Sequence, residues 1–251
     1  MPGLRRIQYT HGSVRQEGEI PVRMNFLKVM TDEGIEGVCT KTMTPEQADM
    51  LRLQVLGENP FNREELYQLM WKGTRWMYQR AGWAGDFDNC LWDILGKAAG
   101  MPVCDLIGSV RDRFPVYVTS GESPLEVYLE VIDEARKRGV GAYKFHTYKG
   151  GKADIHIFRE VRDVVGHVME ELGFIWLEEP IHEQKENQYR ELFRELDMPV
   201  MGNETIMYDI GLSTQKLMSG AADLLRANDA SVLLKCSKWL TSRRCTTRLS
   251  R

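Results

Sequence analysis

Strand-like runs at Val22–Val29 and Gly37–Thr40 flank the turn residues Asp32-Glu33-Gly34, a pattern that predicts an N-terminal β-hairpin. The rhythm then becomes helical. Thr44-Pro45-Glu46 opens a helix, with Thr44 as N-cap and Pro45 as its first residue. A longer helical pattern runs from Asn62 to about Trp76. The segment Arg80–Gly85 mixes glycine with an aromatic residue and reads as an exposed loop. Over Asp86–Ala99, the apolar residues Phe87, Leu91, Ile94, Leu95 and Ala98 recur at helical spacing, and Gly100-Met101-Pro102 ends the run.

Beyond Arg113 strand and helix patterns alternate. Strands are expected at Val116–Thr119, Ala142–Tyr148, Phe174–Leu177, Pro199–Gly202 and Asp223–Arg226. Helices are expected at Pro124–Arg138, Asp154–Leu172, Asn187–Leu196 and Asp209–Ser219. This alternation argues for parallel βαβ units, hence for an α/β fold. A β/α barrel is the preferred closed form, and an open doubly wound sheet is the alternative. No glycine-rich phosphate loop follows any of these strands, which weakens a nucleotide-binding reading. The expected division is an α+β domain over 1–112, a partial β/α barrel over 113–229 and a basic tail over 230–251.

Composition narrows the class. The chain has 251 residues, 43% hydrophobic and 27% charged, with a formal net charge of -3, which suits a globular domain and gives no sign of a nucleic-acid or membrane partner. No apolar run reaches the length of a membrane span, and the N-terminus lacks the apolar stretch of a secretory signal. The five cysteines are scattered without metal-ligand spacing, as reduced cytoplasmic thiols would be. Residues 230–251 contain no Asp or Glu but six Lys or Arg, and read as a solvated basic tail.

Active-site side chains of a β/α barrel stand at the C-terminal ends of its strands. Here those ends carry Lys144-Phe145-His146, Glu178-Glu179-Pro180, Asn203-Glu204-Thr205 and Arg226-Ala227-Asn228-Asp229. Strand alternation puts Lys144 and His146 on one face. Carboxylates converging on one rim repel unless a cation neutralises them, and Mg²⁺ suits carboxylate oxygens while keeping positions open for water or substrate. Such an ion would act as a Lewis acid on a substrate carboxylate, making the α-proton acidic and stabilising the enediolate. A lysine beside it could serve as base.

These segments resemble the mandelate racemase-like subgroup of the enolase superfamily. Gly34-Ile35-Glu36-Gly37 resembles that family's N-terminal hairpin, and Asp88–Val103 resembles the helix before its barrel. Lys144-Phe145-His146 resembles its Lys-x-Lys motif, with His as the second member. Gly173–Pro180 and Gly202-Asn203-Glu204 resemble its fourth and fifth strands. The resemblance covers about residues 1 to 229. It implies a capping domain over the barrel, with specificity loops near Gly12–Val22 and Trp76–Asp86. It also implies Glu178 and Glu204 as metal ligands, Lys144 as a contact for the substrate carboxylate and His146 in the place of the basic lysine. Asp229 sits near the Asp of a catalytic His/Asp pair. Mg²⁺ is the implied cofactor and a small acid sugar the implied substrate, with dehydration favoured over racemisation.

The match is interrupted. His146 to Glu178 spans 32 positions, which is room for one βα unit. The family's third strand, with its Asp ligand, does not fit there, and Asp154 and Asp163 fall within a helical run. Five strands in about 117 residues make an incomplete TIM-type barrel, so an internal deletion and a shortened, divergent C-terminus are expected. Exposed strand edges would favour marginal stability or assembly, with a homo-oligomer expected. The competing functional reading is a non-catalytic remnant that pairs with an intact paralogue.

Overall fold

Strand β1 (Leu4–Arg15) pairs antiparallel with β2 (Pro21–Thr31), and β2 pairs antiparallel with β3 (Glu36–Thr40). This three-stranded sheet belongs to a computed structural model that describes residues 4–15, 21–40, 43–109, 111–146, 156–157, 159–161, 175–196 and 198–226. The expected hairpin is therefore β2–β3, turned at Gly34, whose φ of 82° is costly for any residue with a Cβ. Strand β1 had no counterpart in the sequence reading. Gly12–Arg15 lie in β1 and Pro21–Val22 in β2, so of the loop expected at Gly12–Val22 only residues 16–20 remain, outside the described residues.

Three helices cover the sheet's inner face. Helix α1 (Pro45–Val55) starts with the expected Thr44 cap, completed into a capping box by Gln47. Helix α2 spans Arg63–Trp76 and α3 spans Gly85–Ala99, which ends at a left-handed Gly100. Leu27 and Val29 face inward from β2, two apart as pleating requires. They meet Leu51 and Val55 of α1, Leu66 and Met70 of α2, and Phe87, Leu91 and Ile94 of α3 in one apolar core. Ala98, expected on the apolar stripe, is exposed. Arg80–Gly85, expected as an exposed loop, is instead a turn that buries Trp83 and Ala84. The Trp83 indole N–H donates to the Met70 carbonyl at 3.0 Å, which satisfies the buried ring and ties the turn to α2. A one-turn helix, α4 (Val103–Leu106), follows.

The chain forms two compact units, one of Met1–Ser109 with Glu178–Arg251 and the other of Val110–Leu177. Residues 113–229, read from sequence as one partial barrel, are thus shared between both, and the tail 230–251 lies outside the described residues.

In the Val110–Leu177 unit, β4 (Val118–Thr119) and β5 (Tyr143–Lys144) pair in parallel across α5 (Leu125–Lys137), which is a βαβ unit. Tyr128 and Ile132 of α5 pack with Tyr143, Phe145, Ile157 and Val161. Residues 156, 157 and 159–161 are helical, inside the helix expected at Asp154–Leu172; the rest of that span, with Asp154 and Asp163, lies outside the described residues.

Strand β6 (Leu177–Glu178) spans the boundary of the two units, and α6 (Glu186–Glu195), β7 (Val200–Met201) and α7 (Ile210–Met218) of the other unit follow in the expected order. β6 and β7 form a two-stranded sheet. Leu224 adds a parallel bridge to Met201 where the last strand was expected. Tyr189, Val200 and Ala221 form the core under this sheet. The fold is α/β, and among the described residues the strands do not close into a barrel.

Candidate functional site

Glu178 ends β6, Glu204 lies three residues past β7, and Arg226 follows the Leu224 bridge. Three neighbouring chain segments thus deliver their polar ends together. One guanidinium nitrogen of Arg226, Nη1, donates to Glu178 Oε1 at 3.1 Å and also contacts Glu204 Oε1. The Glu178 side chain is 12% exposed and that of Glu204 is 48% exposed, so one carboxylate is mostly withdrawn from water and the other is open to it. Among the described residues, no three His, Cys, Asp or Glu side chains gather as a metal-binding group. The two carboxylates meet on one cation supplied by the chain itself.

Asn203 anchors this arrangement. It is 1% exposed. Its Oδ1 accepts the Arg226 backbone N–H at 2.7 Å, and its Nδ2 donates to the Arg226 carbonyl at 3.1 Å and to Ser213 Oγ at 3.2 Å. The Arg226 backbone is therefore held from both sides by a buried amide.

Glu179 holds the β7 end. Its Oε1 accepts from the backbone N–H groups of Asn203 and of Glu204, and its Oε2 accepts the Tyr189 hydroxyl at 2.7 Å. The Ile181 carbonyl oxygen also lies 2.7 Å from this hydroxyl and shares its single proton. Burial, then the hydrogen bond and charge of Glu179, push the Tyr189 phenol up, so it stays a donor. Glu179 itself has φ 46°, the left-handed region that costs an L-residue roughly 1–2 kcal/mol. The hydrogen bonds of its side chain offset that strain.

Behind Tyr189 lies Lys216, 4% exposed, with its Nζ 3.9 Å from the ring centroid. Burial lowers the lysine, while Glu179, Glu183 and Glu186 act in the opposite direction. Gly202 permits this stack, because a Cβ there would lie 2.9 Å from the Tyr189 ring and 3.2 Å from Lys216 Nζ. Glu183 accepts the Thr205 N–H at 2.7 and 2.9 Å on its two oxygens. Its burial pushes the carboxyl up to about 7; the Glu179 charge adds to the rise and the Thr205 N–H opposes it.

The turn expected as a specificity loop also reaches this region. Arg80 lies 5.2 Å from the Tyr208 ring centroid, and a Cβ on Gly82 would meet the same ring at 2.7 Å. The loop between β7 and α7 is thereby packed against the N-terminal domain.

Lys144 and His146 belong to the Val110–Leu177 unit, at and just past the end of β5. Thr119 Oγ1 donates to the Lys144 carbonyl at 2.9 Å and contacts His146 Nδ1 at 2.9 Å. Nδ1 also lies 3.1 Å from the Ser120 carbonyl, which can only accept. That partner set assigns the proton to Nδ1 and leaves the lone pair of the neutral ring on Nε2. The Tyr128 hydroxyl donates to the His146 carbonyl at 3.0 Å and fixes the segment to α5. Asp229 lies outside the described residues.

Sequence reasoning singled out Glu178, Glu204, Lys144 and His146 as candidates through their strand-end positions. It named Arg226 as a strand-end residue but not as the partner of both glutamates. It named Glu179 and Asn203 as strand-end residues without a role, and it missed Glu183, Tyr189 and Lys216. An arginine at one strand end opposite two acidic ends was the available signal for the ion pair; no periodicity marks the others.

The fold and site define an α/β protein with an N-terminal α+β domain and a paired-glutamate strand-end site. Residues 7–108 match the mandelate racemase / muconate lactonizing enzyme N-terminal domain. Curated relatives include L-talarate/galactarate dehydratase of Salmonella typhimurium, 27% identical over 203 residues, covering 68% of this chain and 50% of that protein. D-galactonate dehydratase of Xanthomonas oryzae is 35% identical over 137 residues, covering 49% of this chain and 35% of that protein. Among solved structures, D-glucarate dehydratase from Agrobacterium tumefaciens, complexed with magnesium, superposes with a TM-score of 0.85 at 23% identity, over 97% of this chain and 78% of that one. L-talarate dehydratase from Polaromonas sp. JS666, complexed with Mg and L-glucarate, superposes with a TM-score of 0.76 at 20% identity, over 96% of this chain and 78% of that one. The structural likenesses concern the fold. The chain spans half or less of the length of these curated relatives. The match over residues 7–108 places the N-terminal domain of the chain in the mandelate racemase / muconate lactonizing enzyme family.

Proposed function

We propose that this chain is built for acid-sugar lyase chemistry, a magnesium-dependent dehydration that begins with loss of the proton next to a substrate carboxylate. The observation that carries the reading is the shared cation. One guanidinium nitrogen touches both Glu178 and Glu204, so the two carboxylates converge on a single positive centre. Two carboxylates fit a hard divalent ion, which takes its remaining oxygen ligands from water or substrate. Glu178 and Glu204 would hold it. When bound, magnesium would polarise the substrate carboxylate and raise the acidity of the adjacent C–H.

The other roles fall to the chain's own groups. The Lys144 ammonium attracts the substrate carboxylate. His146, with its proton placed on Nδ1 by Thr119 and Ser120, offers Nε2 as the proton acceptor. The C–H electron pair spreads into the carboxylate and then returns to expel the neighbouring hydroxyl, which leaves as water on protonation. The enol so formed becomes a 2-keto acid. Asp229, as the partner of a catalytic histidine, belongs to the same proposal. So do a cytoplasmic setting and a homo-oligomeric state. Among the described residues no helix is long and apolar enough to cross a membrane.

The test is a panel of aldonic and aldaric acids incubated with the full chain and MgCl2, with 2-keto acid product detected as its semicarbazone. Turnover that is lost in EDTA, in Glu178→Gln and in Glu204→Gln supports the reading. A panel without product, together with co-purification of a longer paralogue, replaces it with the non-catalytic partner.

A further inference from the structure

We infer that Arg226 is the resident counter-ion of the Glu178–Glu204 pair, and that a divalent cation enters this site by displacing its guanidinium. The inference rests on the reading of that pair as a cation site.

Three features carry it. First, Nη1 already occupies the point both carboxylates face, 3.1 Å from Glu178 Oε1 and in contact with Glu204 Oε1. Magnesium–oxygen bonds are about 2.0–2.1 Å, so an ion bridging the pair and the guanidinium would claim the same space with like charge. Second, the Glu178 side chain is only 12% exposed. Without a cation between them, the two glutamates would face each other with one of them largely withdrawn from water. Third, Arg226 is anchored at its backbone, and its side chain is partly exposed. The buried Asn203 holds its N–H and carbonyl at 2.7 and 3.1 Å, while its side chain is 33% exposed. The guanidinium can leave for solvent without unfolding the segment that carries it.

Displacement taxes metal affinity, because the ion binds only the fraction of molecules whose arginine has left. Removing the arginine removes the tax and makes the pair depend on metal for its charge balance.

The experiment is calorimetric titration of MgCl2 into the full chain as wild type, Arg226→Met and Arg226→Lys, with melting temperatures in EDTA and in MgCl2. Arg226→Met should bind magnesium about tenfold or more tightly than wild type, as removal of a competing internal cation predicts. Its melting temperature should fall in EDTA and recover in MgCl2. Arg226→Lys keeps the charge without the fixed fork and should gain less affinity. If Arg226→Met is too unstable to titrate in EDTA, recovery in MgCl2 and the Arg226→Lys gain carry the test. Binding that needs Glu178 and Glu204 but is no tighter in either arginine variant overturns the inference and leaves the cation site standing. Absence of binding in all three proteins removes the cation site and the inference with it.

Discussion

The Glu179 carboxylate accepts the backbone N–H of Glu204 at 3.0 Å. The second glutamate of the Leu177–Pro180 segment thus positions the peptide that presents the other member of the cation pair. Hydrogen bonds to a charged group contribute about 1.5–3 kcal/mol each when a partner is lost. Glu179→Ala should therefore lower stability by about 2 kcal/mol or more. The backbone adds a sharper expectation. Glycine is ordinarily about 0.5–1 kcal/mol worse than alanine within regular structure. At φ 46° that order should reverse or vanish, because glycine relieves the left-handed strain. Urea unfolding of Glu179→Ala and Glu179→Gly decides it; an alanine variant clearly more stable than the glycine variant would show that position 179 is unstrained.

Glu183 sets a pH dependence. Burial raises its carboxyl from 4.5 to about 7, so between these values the folded state binds more protons than the unfolded state. Stability then falls as pH rises through that window. The contribution is complete below about 4.5 and lost above about 7. Glu183→Gln mimics the protonated form, so its melting temperature should gain on wild type as pH rises from 5 to 8. A difference that stays constant across that range would place the titration elsewhere.

What the sequence disclosed, and what it did not, follows from the range of each interaction. The Thr44 cap, helices α2 and α3 and the βαβ order were legible because capping and apolar period are local. Strand β1 was not, because residues 4–15 mix Arg, Gln, His, Gly and Ser with few apolar positions and so carry no distinctive alternation, although they pair with the next strand in sequence. Trp83 was misplaced for a different reason. Glycines on both sides suggested exposure, but its burial depends on the Met70 carbonyl in another element. Glu178 and Glu204 were visible as strand ends. Arg226 joins them only because the chain after Gly220 returns beside β7, and a distance of 48 positions hides that from any local pattern.

Gly37 marks the closest approach of sheet and helix in the N-terminal domain. A Cβ there would lie 2.1 Å from the Cys90 carbonyl oxygen and 2.9 Å from Ile94 Cγ1. Backbone cannot yield as a flexible side chain does, so Gly37→Ala must push β3 away from α3. The expected cost reaches or exceeds the roughly 1–3 kcal/mol of overpacked cores. Gly34→Ala is the control. Nothing lies within 4 Å of its added Cβ, and only the φ of 82° penalises it. Chemical denaturation should rank Gly37→Ala as the more damaging; the opposite order would mean the sheet can move from the helix at little cost.

Arg63 and Asp88 form a buried ion pair at 2.7 Å, with side chains 8% and 1% exposed. The guanidinium also lies 3.5 Å from the centroid of the Trp92 ring. Removing one member of a buried pair costs about 3–5 kcal/mol, mostly because the remaining charge is stranded. Arg63→Met keeps apolar bulk over Trp92, so its loss should report chiefly on Asp88. Adding Asp88→Asn removes the stranded charge and should recover part of that stability, although Asp88 has further partners that the amide satisfies less well. Equilibrium unfolding of the single and double variants separates the causes. A double variant no more stable than Arg63→Met would assign the loss to packing on Trp92 instead of the buried carboxylate.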